Sequence, residues 1–127
     1  MNTSDPNSGA AEPVIDFDQL QSACDGDIHL LRELVDLYFH QAGEIMAGLE
    51  KAIAEGSVPD VDHLAHKLAG SSLACGVRAM VPSLRQLEHG AKDGHLNGAA
   101  GLFAEAARQL EIVRVRLRDY IHQYPPQ

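Results

Sequence analysis

Apolar residues recur at steps of three and four over most of the chain, which is the spacing of a single helix face. Four long segments carry this pattern, residues 28–55, 59–74, 78–92 and 96–122, and a short one precedes them at residues 17–24. No segment alternates apolar and polar residues over a useful length, so no strand is predicted. The pattern therefore predicts an all-α protein, an antiparallel up-down four-helix bundle with a short extra N-terminal helix.

Capping and turn residues separate these predicted helices. Asp27 suits the N-cap of the 28–55 helix, and Gly56 suits its end. Pro59 suits the first turn of the next helix, and Gly76 suits the position just after that helix. Residues 1–13 are small and polar without periodicity, which predicts a disordered arm or linker. The bundle itself is predicted to occupy residues 14–124.

Length and charge limit the classes of function. The chain has 127 residues, enough for one domain, and a formal net charge of −8. Nucleic acid and anionic membranes need a basic surface, so neither is expected as a partner, and a protein partner is favoured. No apolar run is long enough for a membrane span. The two cysteines, Cys24 and Cys75, form no spaced framework, and we expect reduced thiols in a cytoplasmic protein, with a disulfide as the alternative.

The third long helix carries the candidate chemistry, in the run DHLAHKLAGSS at residues 62–72. At about 100° per residue, His66 lies about 140° from Val61, outside the apolar stripe. Asp62 and Gly70 lie one turn before and one turn after His66, on the same face. Because a neutral imidazole is nucleophilic and titrates near neutrality, an outward-facing His66 is a candidate acceptor in group transfer.

Gly70 is the most informative neighbour of His66. Glycine inside a helix costs about 1 kcal/mol relative to alanine, so its presence needs a reason. One interpretation is that it removes a side chain that would crowd the imidazole. The other is that it allows close packing against another helix, which its place opposite the apolar stripe makes the weaker interpretation.

A metal site is an alternative interpretation of the same helix. His63 and His66 are three residues apart, and Asp62 adds a carboxylate. Two histidines at helical spacing are common by chance, and the sequence offers no third strong ligand. We therefore predict no metal.

The segment at residues 64–76, LAHKLAGSSLACG, resembles the motif of histidine phosphotransfer domains of bacterial two-component phosphorelays. That family has Ala before the phosphorylated His, Leu two residues after it, Gly four after, commonly Ser five after, and Gly ten after. Leu68, Gly70, Ser71 and Gly76 fill those places relative to His66. The order of the predicted helices agrees as well, over nearly all of residues 15–121.

The resemblance implies a phosphorelay intermediate. His66 would accept a phosphoryl group from an aspartate of a response-regulator receiver domain and pass it to another receiver. The receiver would bring Mg²⁺, so no cofactor is expected in this chain. No Gly-rich nucleotide loop is present, so no autonomous kinase activity is expected. The chain would be a monomer, either free-standing or the C-terminal domain of a hybrid sensor histidine kinase whose parent is anchored in the inner membrane.

The residues around His66 are the expected supporting and docking positions. The set consists of Asp62, His63, Lys67, Ala69, Gly70, Ser71 and Leu73. Leu73 is either an exposed docking contact or a residue tucked against the neighbouring helix.

Ala69 departs from the family pattern. The family often has Lys three residues after the phosphorylated His, where it accommodates phosphate charge. Lys67 lies about 100° around the helix from His66, and Arg78 or Arg85 of the next helix are the other candidates for this charge. Because of this departure, the alternative function is an interaction module that binds a receiver or an enzyme without being phosphorylated.

Overall fold

The computed structural model describes residues 14–123, and within them the chain forms five helices. Their bounds are α1 Phe17–Cys24, α2 Ile28–Glu55, α3 Val58–Ala74, α4 Val81–Lys92 and α5 Ala99–His122. The long helices run alternately up and down and form a ring in which each packs on its two neighbours, with α2 and α5 closing it. The predicted all-α bundle with an extra N-terminal helix is confirmed. The predicted arm at residues 1–13 lies outside the described residues, as does residue 124.

Two helices begin three residues later than the apolar pattern predicts. The backbone amides of Arg78 and Ala79 both donate hydrogen bonds to the carbonyl of Val14, at 3.0 and 3.2 Å, so this segment is held in a turn until α4 begins at Val81. Gly98 has a φ of +73°, a left-handed conformation that cannot continue a helix, so α5 starts only at Ala99. Both interruptions come from backbone geometry that side-chain periodicity does not report.

The end of α3 is joined to the segment that precedes α1. Ile15 and Val77 form an isolated antiparallel bridge, and the amide of Asp16 donates to the carbonyl of Gly76 at 2.7 Å. Gly76 has a φ of +76°, and a Cβ there would lie 2.6 Å from the carbonyl oxygen of Asp16. Only glycine fits this crossing, which places the N-terminal segment against the C-terminal end of α3.

The core lies between the four long helices and is built mainly of aliphatic side chains from all of them. One polar pair is buried in it: the hydroxyls of Tyr38 and Ser72 are 2.7 Å apart, and burial raises the pKa of Tyr38 to about 12. Cys24 and Cys75 are both free. No helix within residues 14–123 combines the length and the apolar character that crossing a bilayer requires.

Candidate functional site

His66 stands on the outer face of α3, as the stripe analysis predicts. Val61, Ala65 and Leu68 of the same helix are fully buried, whereas the His66 side chain is 68% exposed. The position is nevertheless fixed, because the Nδ1 atom of His66 lies 2.7 Å from the Oε2 atom of Glu88 on α4. The imidazole is therefore held on one side and open on the other.

Glu88 is the residue at this site that the sequence analysis missed. Its side chain is only 6% exposed, although it is a carboxylate on the surface helix α4. Leu84, Leu87 and Ala91 are buried around it on the same helix, so Glu88 occupies a place in the apolar stripe. A charged residue within such a stripe is the signal that points to a polar or charged partner, since burying an unpaired charge is costly.

The ionisation of Glu88 determines which nitrogen of His66 carries the proton. Burial raises the pKa of the Glu88 carboxyl, but hydrogen bonds from His66 and Arg85 and the charges of both outweigh burial, and the pKa is lowered. An ionised carboxylate only accepts hydrogen bonds, so Nδ1 of His66 is the donor. In the neutral ring this leaves the lone pair on Nε2, the nitrogen directed away from Glu88.

Two cations of α4 complete the group around Glu88. The guanidinium of Arg85 is 3.1 Å from Oε1 of Glu88, and the ammonium of Lys92 is 3.7 Å from Oε2. Lys92 also reaches Asp62 of α3 at 3.1 Å, and this hydrogen bond is the main cause of its raised pKa. Asp62, His66, Arg85, Glu88 and Lys92 thus form one network, which we call the α3–α4 network.

The surface beyond His66 is open. A Cβ built on Gly70 would meet no atom within 4 Å outside its own helix backbone, so close packing against another helix does not explain this glycine. His63 and Lys67 are exposed, and Ser71 and Leu73 are half-buried. The structure therefore places these four residues and Gly70 along one accessible side of α3.

Ala69 and Arg78 lie outside this surface. Ala69 is fully buried, so the position where the family often has lysine points into the packing. Arg78 pairs with Asp16 at 3.4 Å, near the start of α1, and is not part of the α3–α4 network. Of the two arginines considered from the sequence, only Arg85 lies beside the His66 partner.

The proposed metal ligands do not come together as a site. Within residues 14–123, no group of three or more His, Cys, Asp or Glu side chains is arranged to hold a metal ion. The carboxylate of Asp62 contacts Lys92 with both oxygens, at 3.1 and 3.3 Å. The network is thus an arrangement of hydrogen bonds and ion pairs around one exposed imidazole.

Comparisons with known proteins agree with this geometry. A search of curated proteins finds no match. Among solved structures, the chain is similar to histidine-containing phosphotransfer protein B (HptB) from Pseudomonas aeruginosa PAO1, with a TM-score of 0.81 and 25% sequence identity. The alignment covers 89% of this chain and 98% of that chain. The family model described as Hpt domain matches residues 33–124, which include the whole α3–α4 network, and the chain therefore belongs to the Hpt domain family.

Proposed function

We propose that this domain is a phosphorelay intermediate in which Nε2 of His66 accepts a phosphoryl group from a receiver-domain aspartate and passes it to a second receiver. Membership of the Hpt family supports a phosphotransfer role. The single observation that carries the assignment to His66 is its hydrogen bond to the buried, ionised Glu88. It keeps the proton on Nδ1 and leaves Nε2 as the exposed nucleophile.

The transfer step follows from this tautomer. The Nε2 lone pair attacks the phosphorus of the phosphoaspartate, the N–P bond forms, and the P–O bond to the aspartate breaks, which releases a carboxylate. Nε2 has no proton to lose, so no general base is needed. The ring gains positive charge as the N–P bond forms, and the carboxylate of Glu88 beside Nδ1 stabilises that charge. The return transfer reverses each change.

The phosphoryl charge needs cations, and we propose that Arg85 supplies one in place of the lysine that is absent at Ala69. Arg85 is 41% exposed and lies on α4, beside the oxygen of Glu88 that does not contact His66. Mg²⁺ would come from the receiver, whose own pocket would supply most of the charge stabilisation.

The receiver would dock on the accessible side of α3. Gly70 leaves room for in-line approach to Nε2, and His63, Lys67, Ser71 and Leu73 would form contacts around it. We expect a monomer, because the long helices bury most of their apolar stripes within the bundle. We also propose that it works in the cytoplasm. We propose that it acts in a phosphorelay either as a free-standing protein or as the C-terminal domain of a hybrid kinase.

The test is phosphotransfer from a receiver labelled with ³²P on its aspartate. The wild-type domain is expected to take up label that is lost in acid and retained in alkali, as for a phosphoramidate. His66→Gln is expected to take up none while keeping its helical circular dichroism, since the side chain is outside the core. Label on His66→Gln would assign the acceptor to another histidine. If the receiver binds but transfers no label to the wild-type domain, the interaction module is favoured instead.

A further inference from the structure

A cleft of about 420 Å³ lies between α2 and α5. Its described lining residues all come from these two helices, whereas the α3–α4 network lies on the other two. The four long helices form a ring in the order α2, α3, α4, α5, so the side between α2 and α5 is opposite the side between α3 and α4. The cleft therefore lies on the opposite side of the bundle from His66. Its size falls within the range of ordinary binding pockets, about 300–1,000 Å³.

The floor of the cleft is apolar. Val35 is buried there, and Phe39 and Ile121 are half-buried and so present part of their surface to the cleft. Apolar surface left open between two helices gains free energy when an apolar side chain covers it. The floor therefore favours an occupant with at least one large apolar group.

The rim of the cleft is cationic on both sides. Arg32 lies on the α2 side, and Arg114 and Arg118 lie one turn apart on the α5 side, whereas Asp36 is the one carboxylate among the described lining residues. The Arg114 guanidinium carbon sits 4.6 Å from the ring centroid of Phe39, which holds it at the edge of the floor. This local excess of positive charge contrasts with the net charge of −8 of the whole chain.

Two of these arginines differ from Arg114, which pairs with Glu111 at 3.4 Å. Within residues 14–123, Arg32 and Arg118 form no ion pair, although acidic residues outnumber basic ones by 18 to 10 in the sequence. Arginine and aromatic residues together are typical of the parts of protein interfaces that contribute most binding energy. The cleft is complementary in charge to a carboxylate-rich ligand and in polarity to one with an apolar side chain.

We propose that this cleft is a docking site for an acidic segment of a partner protein, which inserts an apolar side chain over Phe39 and places carboxylates against Arg32 and Arg118. The site does not depend on phosphotransfer, and its occupant would leave His66 accessible. A partner held here could stay bound while receivers exchange at His66, and such tethering raises the effective concentration of whatever the partner carries.

The experiment uses a short fluorescein-labelled peptide with one central phenylalanine flanked by glutamates. Binding to the wild-type domain is followed by fluorescence anisotropy and by ¹⁵N chemical shifts. The expected result is saturable binding, with shifts centred on Val35, Phe39 and Ile121. Peptides with alanine in place of the phenylalanine, or lysine in place of the glutamates, are expected to bind at least about tenfold more weakly.

Charge reversal on the domain provides the matched comparison. The double variant Arg32→Glu, Arg118→Glu is expected to weaken binding about tenfold or more. The double variant Arg108→Glu, Arg116→Glu makes the same charge change at exposed α5 arginines outside the cleft and is expected to change it by less than about twofold. Equal weakening by both variants, equal binding of the alanine peptide, shifts centred on α3 and α4, or no binding at millimolar peptide would each overturn the proposal. The wild-type shifts decide the matter even if the cleft variant does not fold.

Discussion

The two sides of the bundle use arginine in different ways. On the α3–α4 side, Arg85 pairs with the buried carboxylate of Glu88, which in turn holds His66. On the α2–α5 side, Arg32 and Arg118 have no ion pair within the described residues. The first arrangement orients a side chain of the protein itself, whereas the second leaves charge available to an outside ligand. The function of an arginine on a helix surface can therefore be inferred only when its contacts are known.

The difference also concerns rigidity. A hydrogen bond to a buried ionised group is among the stronger kinds, about 1.5–3 kcal/mol, and limits the rotamers of both partners. The exposed arginines of the cleft keep their side-chain entropy until a ligand binds. Substitutions on the His66 side should therefore alter transfer, and the same substitutions on the cleft side should not.

The largest effect after loss of His66 itself is expected at Gly70. Gly70→Gln puts a long side chain one turn from the imidazole, where a displacement of about 1 Å in the approach of the receiver can lower the rate about a hundredfold. The helix should meanwhile gain up to about 1 kcal/mol, because nothing crowds this position and glutamine has the better helix propensity. Transfer kinetics and thermal melting on one preparation measure both effects.

Gly43→Gln is the matched control for that variant. Gly43 also lies inside a helix with open space above it, but on α2, outside the α3–α4 network. It should raise the melting temperature similarly and leave transfer unchanged. If Gly70→Gln melts at a lower temperature than wild type, the assignment of an open face there is wrong. If it raises the melting temperature and transfers normally, Gly70 has no role in access.

Glu88→Gln should slow transfer about tenfold, a little under 1.5 kcal/mol, which is the low end for a hydrogen bond to a charged group. The amide can still accept from Nδ1 but does not stabilise positive charge on the ring. The ¹⁵N shifts of the imidazole should show a larger fraction of the other neutral tautomer. An unchanged rate and unchanged tautomer would leave Glu88 with a purely structural role.

Arg85→Gln and Arg118→Gln compare the two faces directly. Arg85→Gln should slow transfer about threefold, because partly exposed ion pairs contribute less than about 1 kcal/mol. Arg118→Gln, which removes the same charge on the cleft side, should leave the transfer rate as it is. Single-turnover transfer from the same labelled receiver gives both numbers. Equal slowing by the two variants would indicate a general charge effect rather than a local one.

The smallest effect is a pH-dependent contribution of Glu88 to stability. Its pKa is lowered in the folded protein from an ordinary value of 4.5, so the native state favours the ionised carboxylate. That contribution is complete above the unfolded pKa and is lost as the pH falls through the folded pKa. The difference in unfolding free energy between wild type and Glu88→Gln, measured in urea, should therefore shrink as the pH falls below the unfolded pKa of 4.5. A difference that grows toward acid would contradict the sign of the shift.

Much of the fold could be predicted because the signals are local. The bounds of α1 and α2 agree with the apolar pattern and its caps, and the Asp27 side chain accepts hydrogen bonds from the amides of His29 and Leu30. The late starts of α4 and α5 could not be predicted from local signals. The start of α4 depends on hydrogen bonds to Val14, which is far away in sequence, and the start of α5 depends on the left-handed conformation of Gly98.

The site was predictable only in part. The exposure of His66 follows from its angle on α3, but its partner is on another helix, and only the fold brings them together. Glu88 stands in an apolar stripe, and such a position indicates a buried contact without identifying it. The burial of Ala69 could not be predicted either, because it arises from packing against other helices rather than from its own helix.

The bridge between Ile15 and Val77 has a consequence for how the protein folds. The contacts of α2 with α3, and of α3 with α4, join neighbours in sequence and require only short loops to close. The bridge instead closes a loop of about sixty residues, whose entropy cost must be met before any contact there stabilises the chain. We therefore expect the N-terminal segment to dock on the Gly76 turn after α2, α3 and α4 have paired with their sequence neighbours.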